Sequence, residues 1–414
     1  MQGLNSGDTA WMLVSAAMVL FMTPGLAAFY SGMVRRKNVL STTMQSVFAM
    51  GTVSIIWALF GYSLAFSDGS GALAPFIGGF NYVGLNGISN QLAPLAATIP
   101  HTVYAMYQGM FAIITVALIT GAVAERMKFK AYVMFTVLWA IFVYSPLAHW
   151  VWQPNGWLFK MGALDFAGGT VVHISSAAAA LAAVIVLGKR KGWGKEAFHP
   201  HNLPLTVLGA GILWFGWFGF NAGSALAANG LAGSAFLNTH LAAATALIVW
   251  VIVEAFHAGK PTVLGAASGA VAGLVCITPA AGFVEPWAAI TMGAVAGVVC
   301  YFGLFIKAKF KFDDALDVVG VHGVGGTTGA ILTGVFATSA VNASIKGHEG
   351  LLYGNPSQVL IQLAAVLAAG LFSFGVSFVI LKLTDAVVGL RVDEETEVRG
   401  LDLAEHSEEG YILD

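Results

Sequence analysis

Charge is what this 414-residue chain has least of. Asp, Glu, Lys and Arg together make up only 10% of it, and apolar residues make up 57%. A soluble globular chain carries about 25% charge. Two or three water-soluble domains are therefore excluded, although the length alone would suggest them. Cysteine is almost absent too. Cys276 and Cys300 both fall in apolar runs, so they read as small packing residues and support neither a disulfide framework nor a metal cluster. No short alternating segments of the kind a membrane barrel needs are evident. No cleavable leader is evident either, because the apolar run from Thr9 to Met33 is too long for one and no basic stretch precedes it.

What the chain has instead is long apolar runs. A bilayer core takes roughly 20 apolar residues per helix. The runs fall at 9–32, 39–66, 98–124, 131–150, 164–188, 204–226, 236–257, 262–280, 287–306, 317–337 and 357–386. The expectation is an all-α integral membrane protein with eleven transmembrane helices. Lys and Arg test that count, because they collect on the inner side of a membrane. Of 19 such residues, all but Lys160 and Lys346 fall on one side if the N-terminus is outside and the C-terminus inside.

The net charge of −2 is uneven. From Arg391 onward there are nine acids, ending at Asp414, against two bases. That leaves 17 bases and 12 acids before it, out of totals of 19 and 21. The chain divides into a membrane domain over 1–390 and an acidic tail over 391–414. The basic excess of the body is too small and scattered for nucleic-acid binding.

Ionisable groups inside a membrane are costly and each needs a reason. Lys and Arg are missing from the middle of every run. The fifth run opens at Asp165 and reaches His173 eight residues on. The tenth opens at Asp317 and reaches His322 five residues on. At a helical rise of about 1.5 Å per residue, His173 lies roughly 12 Å in and His322 roughly 7.5 Å in, short of the middle. Both histidines have adjacent glycines, which let membrane helices approach closely. One is on the fifth helix of spans 1–5 and the other on the fifth of spans 6–10, entering from opposite sides. This is the relation of a five-plus-five inverted repeat, with halves at about 9–188 and 204–337 and one extra helix at about 357–386.

Each histidine is either a neutral imidazole bonded between helices or part of a pathway, and the symmetric placement favours the pathway. Two histidines are too few for structural zinc. Bis-histidine haem remains a rival, but no cofactor is expected, and no nucleophile–base pair or phosphate loop suggests an enzyme. Asp165 either binds a cation or caps its helix start, and the cap is the commoner arrangement. Asp313, Asp314 and Asp317 read as caps and loop charges. His101, His149, His240 and His257 read as interfacial.

Aromatic residues fall on shared helix faces. Tyr107 and Phe111 are four apart, and Trp217, Phe220 and Ser224 are spaced by three and four. Trp152 lies just beyond the fourth run. Such stripes are commonly core packing, but aromatic faces at a pore mouth also hold cations.

Several segments resemble the ammonium transporter (Amt/MEP/Rh) family, in its bacterial and archaeal Amt branch. They are DFAGGTVVHIS from Asp165, FGWFGFNAGS from Phe215, DVVGVHG from Asp317, AVAERM from Ala122, FYSGMVRRKN from Phe29, and GLRV from Gly389 with GLD from Gly400. The resemblance implies a homotrimer in the cell membrane, with one pore per subunit. It places a substrate recruitment site at Trp152, Tyr107 and Ser224, a phenylalanine gate at Phe111 and Phe220, and a pore lined by His173, His322 and Trp217, with Asp165 as structural support. It implies ammonium as substrate and methylammonium as its analogue. It also implies a PII-type signalling partner for the loop 189–202 and the tail. Tyr107 stands where many relatives have Phe, and the loop after Trp152 lacks a triple-glycine start that many relatives have. An ammonium sensor with little flux and a neutral gas channel are the alternatives.

Overall fold

The computed structural model describes residues 3–411; Asp414, counted above in the acidic tail, lies outside them. The chain is a mostly helical bundle. Its main helices are α1 (Ser6–Met33), α2 (Val39–Ile56, running on to Phe66), α3 (His101–Val123), α4 (Phe129–Trp139, running on to Trp152), α5 (Gly169–Leu187), α6 (Leu203–Ala222), α7 (Gly230–Ala258), α8 (Val263–Ile277), α9 (Pro286–Gly303), α10 (Val319–Phe336) and α11 (Ser357–Val388). Among the described residues, ten helices are long and apolar enough to cross a membrane. The chain is a multi-pass membrane protein.

The helix in the eighth run is the exception. Residues 262–280 are helical only over Val263–Ile277, about 22 Å of helix. Thr278 is still helical in φ and ψ, but Pro279 has no N–H to carry the hydrogen-bond ladder on, so α8 stops short of the run's end. The chain turns there and packs against the segment that leads into α5. A second difference lies between α2 and α3, where Leu92–Ala93 and Ala96–Pro100 pair as two short antiparallel strands. This is a loop feature and not part of a barrel.

Large apolar side chains face outward along the helices, including Leu13 on α1, Ile55 on α2, Ile248 on α7 and Leu371 on α11. In water such a surface would be unstable, but in hydrocarbon it costs nothing. The interior is filled by alanine, glycine and aromatic side chains, with α1 lying along α6 and α5 against α11.

Two charge features differ from expectation. Asp313 lies in the loop before α10, but as a buried ion-pair partner and not a solvated charge. Arg190 binds it in a fork at 2.8 and 2.9 Å and also reaches Glu125 at 3.0 Å. Arg35 completes the cluster on Glu125 at 2.9 Å. Asp314 does cap a helix start, accepting from Val319 N at 2.7 Å, and Asp317 pairs with Lys307 at 2.6 Å. The tail is also docked on the body. Its helix α12 (Glu394–Arg399) is held at Glu397 by Lys37 and Lys191, and α13 (Leu401–His406) lies against the starts of α2 and α4. Asp402 accepts from Leu40 N and Ser41 N at 3.0 and 2.7 Å, and Glu405 accepts from Phe129 N at 2.9 Å.

His149 and His101 are not interfacial. His149 is sealed, with its ring nitrogens 2.9 and 2.8 Å from Ala65 O and Ala74 O, and so fastens the loop after α2. His101 is buried, with Nε2 2.5 Å from the Tyr62 hydroxyl.

Candidate functional site

Three cavities follow one another through the helices. The first opens at the face where α1 begins. It holds about 240 Å³ and is lined by Trp152, Ser224, Tyr104, Gln108, Phe111 and Leu226 among others. Its floor is a ring pair, Phe111 and Phe220, with centroids 4.3 Å apart. Beyond the pair is a small cavity of about 10 Å³ among Leu213, Trp217, Phe220, His173 and His322. That is close to the least space a single water occupies. His322 also borders a third cavity of about 130 Å³ on the tail side, together with Tyr30, Asp317, Glu254 and Ser268.

Local structure explains how each group is held. Trp152 ends α4 and donates its indole N–H to Asp165 O at 3.0 Å. The Asp165 carboxylate folds back over the start of α5. It accepts from Gly168 N and Gly169 N at 2.7 Å, from Thr170 N at 2.8 Å, from Val171 N at 3.3 Å and from the Thr170 hydroxyl. Both oxygens are thus occupied within the chain. The free N–H groups of a helix start need such acceptors.

The depth arithmetic fails here. The helix starts at Gly169, so His173 is only four residues into α5. His322 is three residues into α10, which starts at Val319. The first turns of both helices, Gly169–Ile174 and Val319–Gly323, are wide π turns, a form that recurs at functional sites. The two helices enter from opposite sides, and their histidines meet. Their Nδ1 atoms are 3.2 Å apart and their rings nearly parallel at 23°. Gly326 of α10 permits this approach, because a Cβ there would come within 3.0 Å of the His173 Cβ.

One Nδ1 must donate and the other accept, so the two tautomers are linked. His173 Nε2 has no hydrogen-bond partner and no solvent contact. Trp217 lies over His173 at 5.5 Å and 21°, with its indole N–H donating to Thr278 Oγ1 at 2.8 Å. Trp217, His173 and His322 form a run of stacked rings whose walls carry no charge.

Tyr107 departs from the expected arrangement. It is buried, touches Phe111 at 5.0 Å between centroids, and does not line the first cavity. Its hydroxyl lies 3.0 and 2.9 Å from Gly219 O and Phe220 O at the end of α6, and 3.2 Å from Ser224 Oγ. It stands behind Ser224 and the gate rather than beside the opening. Tyr104 and Gln108 occupy the wall instead. Sequence reasoning missed both, although Tyr104, Gln108 and Phe111 share a helix face at spacings of four and three. It also missed Thr278, which nothing in the local sequence marks. Among the described residues no group of three or more His, Cys, Asp or Glu is placed to hold a metal ion.

Fold and site together define a multi-pass membrane protein with a small, uncharged cavity between two larger ones. The Ammonium Transporter Family matches residues 10–411. The ammonium transporter of Bacillus subtilis is 52% identical over 409 residues, covering 99% of both chains. Ammonium transporter Amt1 of Archaeoglobus fulgidus is 45% identical, covering 99% of this chain and all of its own. The crystal structure of Saccharomyces cerevisiae Mep2 superposes with a TM-score of 0.89 at 37% identity, over 95% of this chain and 89% of that one. The chain belongs to the ammonium transporter family.

Proposed function

We propose that this protein moves ammonium across the cell membrane and conducts it as ammonia through the passage between the vestibules. The observation that carries the reading is the contact of His173 and His322 at a small, uncharged cavity near 10 Å³. A bare ammonium ion is disfavoured in such surroundings, because burial favours the neutral species. Ammonium can lose its proton, and a potassium ion of similar size has none to lose. In this reading the substrate is recruited at Trp152 and Ser224 by ring-face attraction and hydrogen bonding. Tyr104 and Gln108 form the wall there, and Tyr107 steadies Ser224 from behind. The substrate passes the Phe111–Phe220 gate and travels as ammonia along Trp217, His173 and His322. Asp165 supports the start of α5 and the Trp152 ring.

The reading includes eleven spans, α8 being the short one, in a five-plus-five inverted repeat with α11 added. The N-terminus is outside and the tail is in the cytoplasm. The membrane domain covers 1–390 and the tail 391–414. The protein works as a homotrimer, and a PII-type protein docks on the loop 189–202 and the tail.

The test is solid-supported membrane electrophysiology on reconstituted protein, pulsed with ammonium, methylammonium and potassium, together with uptake assays. Wild type is expected to respond to ammonium, less to methylammonium and not to potassium. His173→Ala is expected to abolish ammonium flux or to admit potassium. Unchanged uptake and unchanged potassium exclusion in that variant would overturn the twin-histidine passage. Ammonium binding without flux in wild type would replace transport with sensing.

A further inference from the structure

Helix α8 ends inside the protein, and its end touches both walls of the passage. Thr278 and Pro279 follow its last helical residue and are buried. The Thr278 hydroxyl donates its single proton to Leu274 O at 2.7 Å, one turn back. That leaves the oxygen free to accept the Trp217 indole N–H at 2.8 Å. Pro279 holds the opposite wall. Its carbonyl accepts from Phe166 N at 3.0 Å, and its ring lies so close to Gly169 that a Cβ there would come within 2.5 Å of Pro279 Cβ. Gly169 begins the turn that carries His173. Two consecutive residues thus set the spacing between the α6 wall and the α5 wall.

We infer that Thr278 is a positioning residue for conduction: its hydroxyl holds the Trp217 indole parallel to His173 and so sets the bore of the small cavity. This rests on the conduction reading above. Threonine suits the task for a chemical reason. Its hydroxyl is committed as a donor by Leu274 O and therefore presents only an acceptor to the indole. Valine has the same shape and no acceptor, so it leaves a buried N–H unpaired, which is costly enough to turn the ring. A turned indole changes a space that holds little more than one small molecule, and ammonium and methylammonium then respond unequally.

The test compares wild type, Thr278→Val and Thr278→Ser in liposomes, with flux normalised to folded protein. Trp217→Leu and His173→Ala serve as controls. Thr278→Val is expected to change the ratio of methylammonium to ammonium flux about tenfold, and Thr278→Ser to stay within about twofold of wild type. A merely structural role would lower the yield of folded protein and leave that ratio alone. If Thr278→Val keeps the wild-type ratio while Trp217→Leu and His173→Ala do not, the positioning role is refuted. If all three keep it, the conduction reading itself fails. Should the valine variant not fold, Thr278→Ala carries the same expectation, and a wild-type ratio in it would refute the proposal equally.

Discussion

Replacing Asp165 by Asn separates a helix cap from a cation ligand. The carboxylate takes four backbone N–H groups and one hydroxyl, and both of its oxygens are used. An amide keeps one oxygen and puts an NH₂ group where the other was. If the oxygen stays on Gly168 and Gly169, the NH₂ faces Thr170 N and Val171 N, and donor meets donor. The Thr170 hydroxyl can rotate away, but the two N–H groups cannot. Hydrogen bonds to a charged group contribute about 1.5–3 kcal/mol each, so losing two costs about 3–6 kcal/mol. At about 2.1 cal/mol/K per residue, 414 residues give close to 0.9 kcal/mol/K, and the melting temperature falls by about 3–7 °C. Scanning fluorimetry in detergent measures this. Because Trp152 is tied to the Asp165 carbonyl, the apparent ammonium affinity is expected to weaken as well. If the variant melts within about 1 °C of wild type but loses ammonium binding, the carboxylate is a cation ligand and the cap reasoning is wrong.

Two further substitutions test other parts of the site and scaffold. Tyr107→Phe removes the hydroxyl bonded to the end of α6, at about 1 kcal/mol of stability. Because Tyr107 does not line the vestibule, uptake kinetics should show an apparent ammonium affinity within about threefold of wild type, and a loss beyond about tenfold would mean that the hydroxyl touches substrate. Arg190→Met leaves Glu125 and Asp313 short of a partner in a buried cluster, a loss of about 3–5 kcal/mol. Burial pushes both carboxyls up, but Arg190, helped by Arg35 at Glu125 and Arg126 at Asp313, outweighs it and holds each below its ordinary value of 4.5 or 3.8. Their contribution is therefore complete above those ordinary values and is lost as pH falls through the lower folded ones. Without Arg190 burial acts with less opposition, so the deficit against wild type should shrink between pH 7 and pH 4, a range that spans the ordinary values. Melting curves at the two pH values check this, and a constant deficit would contradict the sign.

Much of the architecture is legible because the bilayer imposes it. A membrane span has to be long and nearly uncharged, so Leu, Ala and Val runs announce helices without help from neighbours. The histidines were legible for the same reason, since an ionisable residue in such a run stands out. Their contact was not. A constant rise from Asp165 and Asp317 measures each from its own side, and takes both segments as helical from the acid onward, so it does not say that the two meet. In the structure Asp165 folds over a non-helical entry, and each helix begins only three or four residues before its histidine. Position 107 shows a second limit. Helical spacing correctly places Tyr107 on the face of Phe111, but spacing does not say whether a side chain borders a cavity or stands behind it. The carbonyls at the end of α6 draw the hydroxyl away from the opening. Asp313 shows a third, because its partner Arg190 is 123 residues away and no local pattern links the two.

Composition alone determined that the chain lives in a membrane, since 10% charge cannot cover a soluble fold. Local motif determined which side chains were worth watching. Only tertiary structure decided how they are used. Whether Asp165 satisfies its own helix or stays free depends on backbone turns around it. Whether two imidazoles share a proton depends on helices packed closely enough to bring their Nδ1 atoms to 3.2 Å. Whether Thr278 matters to the passage depends on the place where α8 happens to end. Those are distances between segments far apart along the chain, and they are set by packing rather than by any residue's neighbours in sequence.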